Sequence, residues 1–183
     1  MKIKELINEA DDLITKAEEF ATKKHKGQTR KFSGEPYIVH PKQVAKNVAK
    51  AGGSDEQIAA AWLHDTIEDT ATTYKELVDE FGSTVAKLVK ELTSPKIKDK
   101  SKKGEIYAKE MNAMSSKALD IKWADRAANV SNLSSEPEPF ATKYAKETRY
   151  ILDNVKKGNS KLRGMIEKSI ARVYKKYNLG EAD

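Results

Sequence analysis

The spacing of apolar residues constrains this chain most, because it is helical almost from end to end. Ile3, Leu6, Ile7, Ala10, Leu13, Ile14, Ala17, Phe20 and Ala21 recur every three or four positions, which places them on one helix face. The stretch predicts a long amphipathic helix ending near His25-Lys26-Gly27, where a glycine can close it. Residues 28–39 lose the period. Ser33-Gly34-Glu35-Pro36 is turn chemistry, and Pro36 keeps Glu35 out of helical backbone. Pro41 suits the first turn of a second helix that runs to about Lys50, and Gly52-Gly53 breaks it. Ser54 and Gln57 have capping-box spacing and open an apolar helix through Ile58, Ala59, Ala60, Ala61, Trp62 and Leu63. Thr72 or Thr73 caps a further helix that stops at Gly82, and more helices are expected over 83–93, 105–114, 116–133, 138–157 and 160–177. No alternating run of β-branched residues marks a strand. No repeat or linker divides the chain, so the expectation is one all-α compact helical bundle over residues 1–183.

A length of 183 residues is enough for one domain with a substantial core. Charged residues are 34% of the chain, and they interrupt every apolar run before it reaches bilayer-spanning length. The first residues, Met1-Lys2-Ile3-Lys4-Glu5, lack the apolar segment of a signal peptide. With no cysteine there is neither a disulfide nor a thiolate metal site. A cytoplasmic location without a membrane partner is the expectation. The net charge of +6 favours phosphate-bearing partners without saying which. Lysines gather locally only over Lys96 to Lys103, which reads as a solvated mobile loop rather than a phosphate clamp.

The segment that carries chemistry is Leu63-His64-Asp65-Thr66-Ile67-Glu68-Asp69-Thr70. If the apolar helix continues through it, Glu68 lies one turn beyond His64 and Asp69 one turn beyond Asp65. Three acids that close would raise at least one pKa, and a divalent cation would relieve the repulsion by using them as ligands. An acidic helix C-terminus is the bland alternative, but acids there oppose the helix dipole. His40, between Pro36 and Pro41, is a second candidate; alone it would read as structural. Asp125 is a third, on a polar stripe of Lys122, Asp125, Asn129 and Asn132, with Arg126 a possible ion-pair partner. His40, His64, Asp65 and Asp125 offer two imidazoles and two carboxylates, a set suited to Mn, Fe, Zn or Mg-like ions. Such an ion makes water a nucleophile at neutral pH, leaving Glu68 and Asp69 to orient it or move its proton.

Four blocks in order carry a resemblance. They are His25-Lys26-Gly27-Gln28-Thr29-Arg30-Lys31 with Ser33-Gly34-Glu35-Pro36-Tyr37-Ile38-Val39-His40-Pro41; the His64-Asp65 segment; Phe81-Gly82 followed by Val89 to Thr93; and Lys122-Trp123-Ala124-Asp125-Arg126-Ala127-Ala128-Asn129. Over roughly residues 8–150 the chain resembles the HD-superfamily hydrolase domain of RelA/SpoT homologues. In size it is similar to small stand-alone alarmone hydrolases of the metazoan SpoT-homologue type. The resemblance implies an HD-domain helical bundle that removes the 3′-pyrophosphate of ppGpp or pppGpp, giving GDP or GTP and pyrophosphate. It implies Mn²⁺ held by His40, His64, Asp65 and Asp125, with Glu68 and Asp69 positioning the attacking water. It implies a nucleotide site from Arg30, Lys31 and Ser33, with Tyr37 shaping the pocket. Asn129, Asn132 and Tyr144 would lie on the sugar and phosphate side. His25 belongs to the first block but not to the ligands, and reads as a core or supporting histidine. Trp123 stands where leucine is usual, and Ala127-Ala128 where bulkier residues are; both flank the pocket helix and bear on substrate choice. No synthetase or regulatory region is expected.

Two other readings remain. One is an HD-type phosphatase for another nucleotide, a 5′-nucleotide or NADPH, with the same metal set. The other is a basic nucleic-acid-binding module. Against the latter, no signature of such a module is present and aromatics are only 7% of the chain, so no nucleic-acid partner is expected.

Overall fold

The computed structural model of the chain describes residues 3–94, 97 and 99–180. The chain forms two compact units, Met1–Ser94 and Pro95–Asp183. Apart from helices, backbone pairing among the described residues includes one antiparallel bridge, Thr29 to Pro36, and no strand. The all-α expectation holds. No described helix is long and apolar enough to cross a membrane.

The first unit contains α1 (Ile3–Lys24), α2 (Val39–Ala51), α3 (Asp55–Leu63), the single turn α4 (Thr66–Asp69) and α5 (Tyr74–Leu92). Gly52 takes φ of 87° to close α2, and its N–H donates to the Ala49 carbonyl at 3.0 Å. Gln57 Oε1 accepts from the Ser54 N–H at 3.0 Å, so the box that opens α3 forms as spaced. From Ile58 onward α3 is apolar on every side, and a helix segment with no polar face belongs in the centre. It packs against α1, α2 and α5, with Ala59, Ala60, Ala61 and Leu63 fully buried. His64 and Asp65, next in the chain, are thereby delivered into protected surroundings.

An unbroken helix through the acidic segment is not what forms. α3 ends at Leu63 and α4 restarts at Thr66. Side chains replace the backbone ladder at the break. His64 Nδ1 contacts the Ala61 carbonyl at 2.8 Å, and the Thr66 hydroxyl donates to the Leu63 carbonyl at 2.7 Å. Such local side-chain bonds compete with helix continuation. Asp69 is still one turn beyond Asp65, because its N–H donates to the Asp65 carbonyl at 2.9 Å. Thr73 caps α5 by accepting from the Glu76 N–H, and Gly82 marks a kink within α5, with φ of 79° and ψ of 167°.

The second unit holds α6 (Lys103–Ala113), α7 (Ser116–Val130), α8 (Glu138–Asn154) and α9 (Ser160–Lys176), with 3-10 turns at 100–102 and 133–135. α7 packs on α9, and α8 on α6 and α9, around Leu119, Ile121, Trp123, Ile151 and Ile166. α7 stops at Val130 rather than 133, where the Ser131 hydroxyl turns back to the Ala128 carbonyl at 2.8 Å. Asn132 is therefore exposed beyond the helix, off the stripe of Lys122, Asp125 and Asn129. Trp123 is fully buried, and its Nε1 donates to the Lys157 carbonyl at 3.1 Å. Gly158 lies against it at φ of 100°, where a Cβ would come within 2.4 Å of Nε1. The unusual tryptophan thus anchors the α8–α9 connection. The expected loop over Lys96 to Lys103 is only partly in view, since Lys96 and Lys98 lie outside the described residues, and its later part is the 3-10 turn leading into α6.

Candidate metal centre

Three of the sequence-derived ligands meet within the first unit. His40, in the first turn of α2, and His64, at the end of α3, are buried, and Asp65 is half-buried. Their ligand atoms all lie within 4.8 Å of one another. The imidazole rings are 5.1 Å apart at 63°, and Asp65 Oδ2 sits 2.9 Å from His64 Nε2 and 3.6 Å from His40 Nε2. The chemistry of the donors tests their fit to a cation. A carbonyl only accepts, so the Ala61 contact places the proton of His64 on Nδ1. A neutral His64 then turns a lone pair toward a carboxylate oxygen. A divalent cation shared by His40, His64 and Asp65 satisfies those atoms together, and the donor set suits one.

Tyr37 reaches the same point. Its hydroxyl donates to Asp65 Oδ2 at 2.5 Å, and it favours the charged form of the Asp69 carboxyl. Its ring lies 5.8 Å from that of His40. Desolvation pushes the Asp69 carboxyl above the ordinary carboxylate range, and the neighbouring Asp65 charge adds to the shift. His25, Tyr37 and His64 pull it back. The expected raised acid is Asp69, with desolvation ahead of charge repulsion as its cause. Glu68 is exposed, and its carboxylate accepts from the Ser94 backbone N–H, a short contact across 26 residues.

The loop holding Arg30, Lys31 and Ser33 is a small hairpin. The Arg30 N–H donates to the Glu35 carbonyl at 2.8 Å, and Gly34 turns it at φ of 70°. Lys31 covers the Phe32 ring at 5.2 Å, and the Ser33 hydroxyl accepts from the Glu35 N–H. Arg30 is half-buried, whereas Lys31 and Ser33 are exposed at the tip. The loop base places Tyr37 at the metal group.

Asp125 belongs to the second unit, half-buried on α7. Asn129 Nδ2 donates to its Oδ1 at 2.6 Å, and Lys122 Nζ lies 3.8 Å from its Oδ2. Asn129 therefore orients the carboxylate. Arg126 makes its ion pair elsewhere, with Glu147 at 3.1 Å, and its guanidinium lies 4.8 Å over the Tyr144 ring. Burial pushes the Tyr144 phenol far above its usual range. Tyr144 also stacks on Phe140, with centroids 5.6 Å apart.

Gln28 joins the centre although residue type and spacing assign it no role. Its Nε2 donates to the Asp69 carbonyl at 2.8 Å, while its Oε1 meets His25 Nδ1 at 2.8 Å. The only signal for it in sequence is its place in the first block, three residues after His25.

A model of the HD domain matches residues 17–154. The chain belongs to the HD-domain family. A relative from Aquifex aeolicus, named guanosine-3′,5′-bis(diphosphate) 3′-pyrophosphohydrolase, is 47% identical over 122 residues, covering 65% of this chain and 18% of the relative. The chain therefore spans less than a fifth of that protein. The guanosine-3′,5′-bis(diphosphate) 3′-pyrophosphohydrolase MESH1 of Danio rerio is 33% identical over 144 residues, covering 77% of this chain and 80% of the relative. Among solved structures, one described as a metazoan orthologue of SpoT that hydrolyses ppGpp superposes with a TM-score of 0.79. It is 23% identical and matches 91% of this chain and 96% of the other, a likeness of fold.

Proposed function

We propose that this HD-domain chain is a metal-dependent hydrolase that removes the 3′-pyrophosphate of guanosine 3′,5′-bis(diphosphate), with ppGpp and pppGpp as substrates and Mn²⁺ as the cation. The observation that carries the reading is the convergence of His40, His64 and Asp65, with the proton of His64 turned away from the shared point. The names of relatives covering most of a small chain and part of a large one supply the substrate class. Asp125 is the proposed fourth ligand, on the family resemblance, with Asn129 fixing its carboxylate. The nucleotide is assigned to Arg30, Lys31, Ser33 and Tyr37 and, on the resemblance, to Asn129, Asn132 and Tyr144. A cytoplasmic location fits such a substrate.

A divalent cation here would polarise the phosphoryl oxygen and make water reactive at neutral pH. The side chains do the rest. Tyr37 holds Asp65 in its ligand orientation by the 2.5 Å hydrogen bond. Asp69, with its carboxyl pushed up, holds a proton more readily than an ordinary aspartate and suits its delivery to the departing 3′-oxygen. Glu68 orients the water beside it and takes its proton as the new bond to phosphorus forms. One water is consumed, and the bond from the 3′-oxygen to phosphorus breaks.

The test is product analysis with ppGpp and Mn²⁺. GDP and pyrophosphate in equal amounts are expected. Orthophosphate release, or turnover of NADPH or a 5′-nucleotide in place of ppGpp, overturns the assignment.

A further inference from the structure

Gln28 has four polar groups, and all four are engaged. Its N–H donates to the His25 carbonyl at 3.0 Å, and its carbonyl accepts from the Tyr37 N–H at 2.9 Å. Its side chain bridges His25 Nδ1 and the Asp69 carbonyl, each at 2.8 Å. The bridge has only one consistent polarity. The Asp69 carbonyl can only accept, so the amide NH₂ must face it. The other end is then Oε1, which also only accepts, and His25 Nδ1 must carry the proton.

His25 is buried, with 2% of its surface exposed, and its Nε2 has no hydrogen-bond partner among the described residues. A buried imidazole is costly unless its polar atoms are used. This one sends its Nδ1 proton to the side chain of Gln28, rather than to a carbonyl at the end of α1. Its ring lies 4.9 Å from that of Tyr37, whose hydroxyl donates to Asp65. From one side, therefore, His25 and Gln28 hold the backbone of Asp69. From the other they hold the ring and backbone of the tyrosine that hydrogen-bonds the Asp65 carboxylate.

We propose that His25 and Gln28 are positioning residues that lock Asp69 and Tyr37 against Asp65, so that the acidic turn is set before substrate arrives. The inference rests on the proposed hydrolase reading for its kinetic consequence and on this chain's hydrogen bonds for its structural one. Neither residue touches the reacting atoms.

Three variants separate the contributions. Q28L removes both side-chain bonds at similar size. H25F keeps a ring beside Tyr37 but loses the Nδ1 donor. H25N keeps a donor close to the Nδ1 position. Q28L and H25F should lower kcat by about 10–100-fold, the usual cost of removing a partner that orients a metal-site group. KM and Mn²⁺ content should stay near the parent values, and H25N should recover most of the loss. In the metal-free protein, amide exchange over residues 66–70 should quicken in Q28L. If H25F fails to fold, Q28L at the half-buried Gln28 carries the test. Unchanged exchange in Q28L overturns the proposal whatever the activity does, as does a loss of kcat that merely follows a loss of metal. A parent protein that does not cleave ppGpp, together with faster exchange in Q28L, overturns the substrate reading and supports the positioning role.

Discussion

Glu68 and Asp69 are adjacent carboxylates with different surroundings, and their variants should behave differently. Glu68 accepts from the Ser94 N–H. Glu68→Gln retains an acceptor there but would lose the proposed base. It should reduce kcat by about 10²-fold or more, the range of general acid–base assistance, while metal content and KM hold. Metal loss in that variant, measured by elemental analysis, would make Glu68 a ligand. For Asp69 the fold disfavours the charged form, since its carboxyl stands above the ordinary range. Its neutral form therefore contributes stability that is present below the unfolded pKa and lost as pH rises through the higher folded value. Asp69→Asn should raise the Tm of metal-free protein at neutral pH and leave it unchanged below the carboxylate range. A lower Tm at neutral pH would show that the ionised form is held by Tyr37 more strongly than desolvation penalises it.

At the scale of elements, the α8–α9 connection has a vulnerable point at Gly158. Gly158→Ala would place a Cβ at positive φ and within 2.4 Å of Trp123 Nε1. The backbone cost of about 1–2 kcal/mol adds to an overpacking cost of about 1–3 kcal/mol. Denaturant unfolding should show a loss of at least about 2 kcal/mol, and a near-neutral result would mean that the indole moves freely. Glycine and capping signals made three helix ends of the first unit legible and also its kink: Gly52 closes α2, Ser54 and Gln57 open α3, Thr73 opens α5 and Gly82 kinks it. The stop at Leu63 was not legible, because no glycine or proline marks it. His64 and Thr66 make it with side-chain bonds that appear only once the helix is folded. The early end of α7 has the same origin in Ser131. His40, His64 and Asp65 could be named as candidate ligands from residue type and motif, and the fold brings them together. Gln28 could not be given a role, since its partner Asp69 is 41 positions away and the bond goes to a backbone carbonyl that residue type does not reveal.

For the whole molecule, a cation bound only by the folded chain must stabilise it by mass action. Mn²⁺ at about 100 times its Kd should add about 2.7 kcal/mol, read as a rise in Tm that a chelator reverses. Asp65→Ala should lose most of that rise, and an equal rise in the variant would place the ion elsewhere. Metal-bound imidazole must be neutral, so at the proposed site protons would compete with Mn²⁺. More Mn²⁺ should move the acid limb of the activity profile to lower pH. Constraint at this scale also runs along the chain. The indole of Trp123 occupies the space that a side chain at 158 would need, so these positions, 35 apart in sequence, cannot vary independently. Trp123→Leu should relieve part of the penalty of Gly158→Ala in a double-mutant cycle. Among descendants of this fold, a tryptophan at the first position should be inherited together with glycine at the second, and a lineage that gave up the indole would be free to lose the glycine.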